Sequence, residues 1–332
     1  MKFIKIFLPG MSLLLMSSSS LAQNADSANY YQKQAAQNYQ AKDYQKAAQG
    51  YISALSHYSD NATAAFNAAC CFSLLNNKKE ALKWLERAVD LGFYKFDEDT
   101  DLDNLRNSGQ YIKILTRARK LDAELKNKMD NPVIGLPQEL DSTKSYGLLV
   151  ALHGYGSDPN NIVQALGGVP QRMGYILVAP YGVKPMGNGG FNWDNWDQAE
   201  QKVLNAVRQA RGKYRIDPSR IILLGFSQGG IYTYYIGAKN ASLFKGIIPM
   251  AGSYYSEVDQ FLPRSRENGL KICIMFGGDE PEPLIKSNLD AYRSFIMSGI
   301  TASLTVCAGL GHAMPPNKEF EIQRAIEWVE KH

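Results

Sequence analysis

Six short, nearly unbroken apolar runs in the last two hundred residues leave few folds open to this chain: 146–152, 175–179, 221–224, 245–250, 270–276 and 302–307. A strand with one face in water alternates apolar and polar residues. Runs without alternation belong to strands covered on both faces, which is the habit of parallel sheets. Parallel strands need long crossovers, and helical periodicity fills the gaps at 197–213, 229–239, 287–297 and 318–330. The spacing therefore predicts a doubly wound α/β domain over 133–332.

The first third of the chain has another texture. Between 29 and 90 an amphipathic helical pattern recurs with an offset of 34 residues, pairing Ala35 with Ala69, Ala47 with Ala81, Tyr51 with Leu85 and Ala54 with Ala88. Small residues recur where helices cross and large ones where they fill a groove. In period and pattern this resembles the tetratricopeptide repeat, two helices per unit, and implies an all-α domain over 28–128 with a surface for a protein partner. Two repeats leave an apolar face uncovered, and the helical stretch 102–126 is the expected cover. Asp130-Asn131-Pro132 then breaks the helix and marks the boundary.

Residues 1–22 read as a leader. Lys2 and Lys5 precede an apolar stretch, and Ser20-Leu21-Ala22 places small residues where a signal peptidase reads them. The apolar stretch is broken by Pro9 and Gly10 and falls short of the roughly 20 residues that span a bilayer, so an exported, periplasmic or secreted protein is expected. The formal charge of +4, or +2 without Lys2 and Lys5, offers no electrostatic case for nucleic acid or an anionic membrane. The four cysteines, Cys70, Cys71, Cys273 and Cys307, lack metal-ligand spacing. Cys70 and Cys71 look like small core residues, whereas Cys273 and Cys307, in different strands, leave a disulfide open.

In a doubly wound sheet, chemistry gathers in the loops at the carboxyl ends of the strands. Those loops read HGYGSD (153–158), GFSQGG (225–230), GGDEPEP (277–283) and AGLGHAMP (308–315). A serine hydroxyl attacks at neutral pH only if a base takes its proton, and Ser227 sits where a sharp strand-to-helix turn would lift it clear of the backbone. The base follows by elimination among four histidines. His57 lies in the repeats, His332 is terminal and His153 sits in an early loop, where it reads as a loop organiser; His312, after the last strand, is left. The backbone N–H of Gln228, opening the helix after Ser227, is placed to donate to a developing oxyanion. The glycine- and aromatic-rich stretch 181–197 either lines a pocket or anchors a surface loop.

Gly225-Phe226-Ser227-Gln228-Gly229 is a GxSxG elbow, and serine, acid, histidine is the chain order of the α/β-hydrolases. Residues 133–332 resemble the phospholipase/carboxylesterase group of serine esterases, and the HGYG loop is similar to secreted feruloyl esterases. The resemblance implies a Ser227–Asp279–His312 triad, since Asp279 with Pro283 matches the esterase DxxxP pattern; Glu280 is the reserve. By analogy with HGxG loops it assigns Tyr155 as the second oxyanion donor. It implies hydrolysis of carboxylic esters through an acyl-enzyme, with no cofactor or metal, on small-molecule or polymer-attached substrates; the short connection between Met250 and Leu270, with no room for a large lid, points to an open site. Two rivals share the pattern: a prolyl-oligopeptidase-type peptidase, and a repeat-based binding protein whose hydrolase domain is degenerate.

Overall fold

The computed structural model describes residues 19–186 and 190–332, with side chains from Ser27 onward, so residues 1–18 of the expected leader lie outside the described residues. The chain divides into two compact units, 1–127 and 128–332. No helix among the described residues is long and apolar enough to cross a membrane.

The first unit is all-helical, with α1 (Ser19–Gln40), α2 (Tyr44–His57), α3 (Ala62–Leu74) and α4 (Lys78–Asp90), followed by a 3₁₀ turn at Thr100–Leu105 and α5 (Gly109–Asp130). The starts of α2, α3 and α4 are set by Asp43, Asn61 and Asn77, whose side chains accept hydrogen bonds from the backbone N–H of Lys46, Ala64 and Glu80. Asp43 and Asn77 are themselves 34 positions apart. All eight residues paired by the offset are buried, and seven of them, all but Ala54, share one core. Leu102 and Leu105 of the 3₁₀ turn, with Tyr111, Ile114 and Ala118 of α5, join that same core. Four antecedent helices arranged this way are compatible with a repeat-like domain.

The second unit is built on a seven-stranded sheet. Its strands are β1 (Val133–Gly135), β2 (Tyr146–Leu152), β3 (Tyr175–Ala179), β6 (Ile216–Phe226), β7 (Gly246–Met250), β8 (Lys271–Gly277) and β9 (Ala302–Cys307); β4 (Lys184–Pro185) and β5 (Phe191–Asn192) form a separate small ribbon. The order is β1-β3-β2-β6-β7-β8-β9, parallel throughout except for β1. Helices α6 (Pro159–Ala165), α7 (Val169–Arg172), α8 (Trp196–Lys213), α9 (Gln228–Lys239), α10 (Leu262–Glu267), α11 (Glu282–Met297) and α12 (Lys318–Lys331) complete it.

The continuous apolar runs are explained by two cores, one on each face. Along β2, Leu148, Val150 and Leu152 pack with α8, α9 and α11, while Leu149 and Ala151 pack with α6, α7 and α12. With side chains alternating between faces, neither set can be polar. This is the α/β-hydrolase arrangement of a mostly parallel sheet covered by helices.

Cys273 and Cys307 are both free. Register separates them: Cys273 lies opposite Ser303, and Cys307 opposite Gly277. Four residues along a strand amount to about 13 Å, well beyond the reach of a disulfide.

Candidate active site

Parallel strands bring the ends of β2, β6, β8 and β9 to one edge of the sheet, and the loops named above meet there. Ser227 occupies the single position between β6 and α9, with φ 57° and ψ −120°. A non-glycine residue avoids this left-handed region unless its surroundings hold it there. Its N–H donates to Met250 O at 2.8 Å, tying the turn to β7. Gly229 is needed at the second position of α9, because a Cβ there would stand 2.4 Å from Leu152 O.

His312 Nε2 lies 2.8 Å from Ser227 Oγ. The imidazole's other nitrogen, Nδ1, lies 2.8 Å from Glu280 Oε2. The expected neighbour was Asp279, and here the structure corrects the reading: Asp279 is exposed and Glu280 is buried, its side chain fully so. The reason is local. Asp279 N donates to Leu310 O and Gly278 N to Cys307 O, which zips the acid loop to the histidine loop. Gly277 permits that approach, since a Cβ would sit 2.1 Å from Leu310 O. With Asp279 at the outer side of the turn, the next side chain faces inward, and the extra methylene of glutamate spans the gap. Adjacent acids are indistinguishable by spacing, so no signal in the sequence chooses between them. Glu280 Oε1 is buried without a hydrogen-bond partner among the described residues.

His153 has a different part. It is 1 % exposed. Its Nε2 accepts from Gly182 N at 3.0 Å, so the proton resides on Nδ1, which donates to Gly154 O at 2.8 Å. Burial pushes its pKa down to about 4, with the bond to Gly154 partly opposing the drop. A buried neutral imidazole that bridges two loops is a loop organiser, as read from the sequence. Tyr155 follows in the same loop and is half exposed, and Gln228 opens α9 beside the serine. Gln228 thus belongs to the turn after β6 and Tyr155 to the loop after β2.

The described parts of the 181–197 stretch, 181–186 and 190–197, are anchored by their aromatic residues. Phe191 and Trp193 are buried, and Trp193 Nε1 donates to His153 O at 2.9 Å. Trp196 packs on Tyr232 and Tyr235, with centroids 4.3 and 4.6 Å away. Tyr254 packs edge-on against Tyr234 and Phe295 in the core, and Tyr255 is partly buried beside it. Between β7 and β8 the chain holds only a 3₁₀ turn (Ser256–Phe261) and α10, so no lid domain is inserted there.

Residues 139–332 match the family model described as phospholipase/carboxylesterase. Among curated proteins, the chain is 32 % identical over 108 residues to a bifunctional acetylxylan esterase/xylanase of Neocallimastix patriciarum, covering 32 % of this chain and 16 % of that one. It is 29 % identical over 135 residues to a probable feruloyl esterase C of Aspergillus terreus, covering 38 % of this chain and 48 % of that one. The chain thus spans less than half the length of these two relatives. Among solved structures, esterase PE8 shares the fold, with a TM-score of 0.50 at 20 % identity over 60 % of this chain and 98 % of that one.

Proposed function

Because the chain belongs to the phospholipase/carboxylesterase family, we propose that it is a serine hydrolase of carboxylic esters. Ser227 is the nucleophile, His312 the general base and Glu280 the orienting acid. The observation that carries this reading is the unbroken relay from Ser227 Oγ through His312 to Glu280, with both hydrogen bonds at 2.8 Å.

In the mechanism this supports, His312 Nε2 takes the hydroxyl proton as Ser227 Oγ attacks the ester carbonyl. Glu280 holds the tautomer that leaves Nε2 free to accept and stabilises the imidazolium that forms. The N–H groups of Gln228 and Tyr155 receive the oxyanion. The imidazolium then protonates the departing alkoxide, the acyl-enzyme remains, and a water deprotonated by His312 releases the acid and restores Ser227.

The substrate class we assign is esters with a small or aromatic acyl group carried on a larger alcohol. The support is twofold: the names of the acetylxylan and feruloyl esterase relatives, and the short connection between β7 and β8, which leaves an open site suited to bulky alcohols. We further assign export, on the leader-like composition of residues 1–22; the amino-terminal sequence of the mature protein, expected to begin at Gln23, tests that directly.

The experiment for the activity itself is Ser227→Ala on p-nitrophenyl acetate, beside labelling by a fluorophosphonate. Turnover should vanish and labelling with it. Retained turnover in the alanine variant would sink the assignment, and peptide cleavage without ester cleavage by the parent would move it to the peptidases.

A further inference from the structure

The two oxyanion donors belong to loops that follow different strands, so something must fix their separation. The N–H of Gln228 is held by the elbow. Tyr155 lies in the loop after β2, and that loop is held by β5: Gly156 N donates to Phe191 O at 3.0 Å and Phe191 N to Ser157 O at 2.8 Å. Two residues further along the same segment, Trp193 N donates to Gln228 Oε1 at 3.0 Å, and Gln228 Nε2 donates to Asp194 Oδ1 at 2.6 Å. Residues 191–194 therefore run from one donor loop to the side chain of the residue that carries the other donor.

We propose that the Gln228 side chain is a positioning residue that sets the spacing of the oxyanion donors by clamping the 191–194 segment. This rests on the serine-hydrolase reading above. Both halves of the amide are used, the oxygen as acceptor and the nitrogen as donor, and no other side chain of that length offers both without charge. Glutamate would set a second carboxylate against Asp194, asparagine is a methylene short, and methionine matches the length with neither bond. Asp194 is exposed, so that half of the clamp does little for folding. Its effect falls on alignment, where small displacements are felt most in the transition state.

The test uses the full-length protein and steady-state hydrolysis of p-nitrophenyl acetate. Gln228→Met should lower kcat by about 10- to 100-fold with KM changed by less than about threefold, since the donors act on the oxyanion and not on the bound ester. Affinity for a trifluoromethyl ketone, which forms a tetrahedral adduct on the serine, should fall by the same factor. Gln228→Glu should be impaired likewise, and adding Asp194→Asn should return kcat to within about threefold of the parent, because the new amide at position 194 then donates to the new carboxylate at 228. A Gln228→Met variant with parental kcat and ketone affinity overturns the proposal, as does a Gln228→Glu/Asp194→Asn pair no better than Gln228→Glu alone. Should Gln228→Met fail to fold, the paired exchange decides by itself. Fluorophosphonate labelling separates the two levels: a parent unlabelled at Ser227 refutes the hydrolase reading, whereas a labelled parent indifferent to Gln228 refutes only the clamp.

Discussion

Acidification is expected to loosen the second unit through His153. In the folded protein its pKa stands at about 4, against 6.5 for an ordinary histidine, and burial is the first cause. A proton added to Nε2 would also point at the N–H of Gly182, donor against donor. Because the folded value lies below the unfolded one, the unfolded chain binds more protons between the two. Stability from this group is full above pH 6.5 and is lost as pH falls toward 4. With about 1.4 kcal/mol per pH unit of proton linkage, the fall from pH 7 to pH 5 comes to about 2 kcal/mol, most of it below pH 6.5. The assay is urea unfolding at pH 5, 6 and 7 of the parent and of His153→Gln, whose amide oxygen can still accept from Gly182 but does not titrate. The variant should be weaker at pH 7 and lose about 2 kcal/mol less than the parent on going to pH 5. Parallel pH curves for the two proteins would refute the reasoning, as would a nitrogen-15 spectrum placing the His153 proton on Nε2.

Glu280→Gln should lower kcat by about 10³- to 10⁴-fold by favouring the wrong imidazole tautomer, whereas Asp279→Asn should stay within about threefold of the parent in the same p-nitrophenyl acetate assay. Gly229→Ala, with its Cβ 2.4 Å from Leu152 O, should cost about 1–3 kcal/mol in urea unfolding and distort the elbow enough to lower fluorophosphonate labelling of Ser227. The buried pair of Tyr234 OH and Asn288 Oδ1, 2.8 Å apart, should behave asymmetrically: Asn288→Leu leaves an orphaned hydroxyl and costs about 1–3 kcal/mol, part of which Tyr234→Phe returns in the double variant, read by thermal unfolding. Reductant should leave the midpoint of thermal unfolding unchanged, since Cys273 and Cys307 are unpaired; a downward shift would reveal a disulfide.

The sheet was legible because burial on both faces leaves a mark no other environment leaves. The runs at 146–152 and 175–179 coincide with β2 and β3 to the residue; 302–307 likewise matches β9, an edge strand only partly buried. The short edge strand β1 and the β4–β5 ribbon passed unnoticed, being held by neighbours and not by any periodicity of their own. Ser227 and His312 were legible for another reason: loops at the ends of parallel strands must share an edge, and only one histidine stood in the right loop. Their hydrogen bond follows from topology, which composition and order already express. The acid is where that logic stops. Asp279 and Glu280 are neighbours, both able to ionise, and a turn that places one inward places the other outward. Which way it turns depends on the backbone bonds from Gly278 and Asp279 to the histidine loop, made across some thirty residues of sequence. The Gln228 clamp is similar, since its partners Trp193 and Asp194 come from a segment with no pattern that points at the elbow. Sequence order alone determined which segments form the parallel strands, which edge carries the chemistry and which residue types arrive there. Only the folded chain decided which carboxylate meets the imidazole and what braces the oxyanion donors, because those choices turn on contacts of a few ångströms between distant loops, and periodicity carries no record of them.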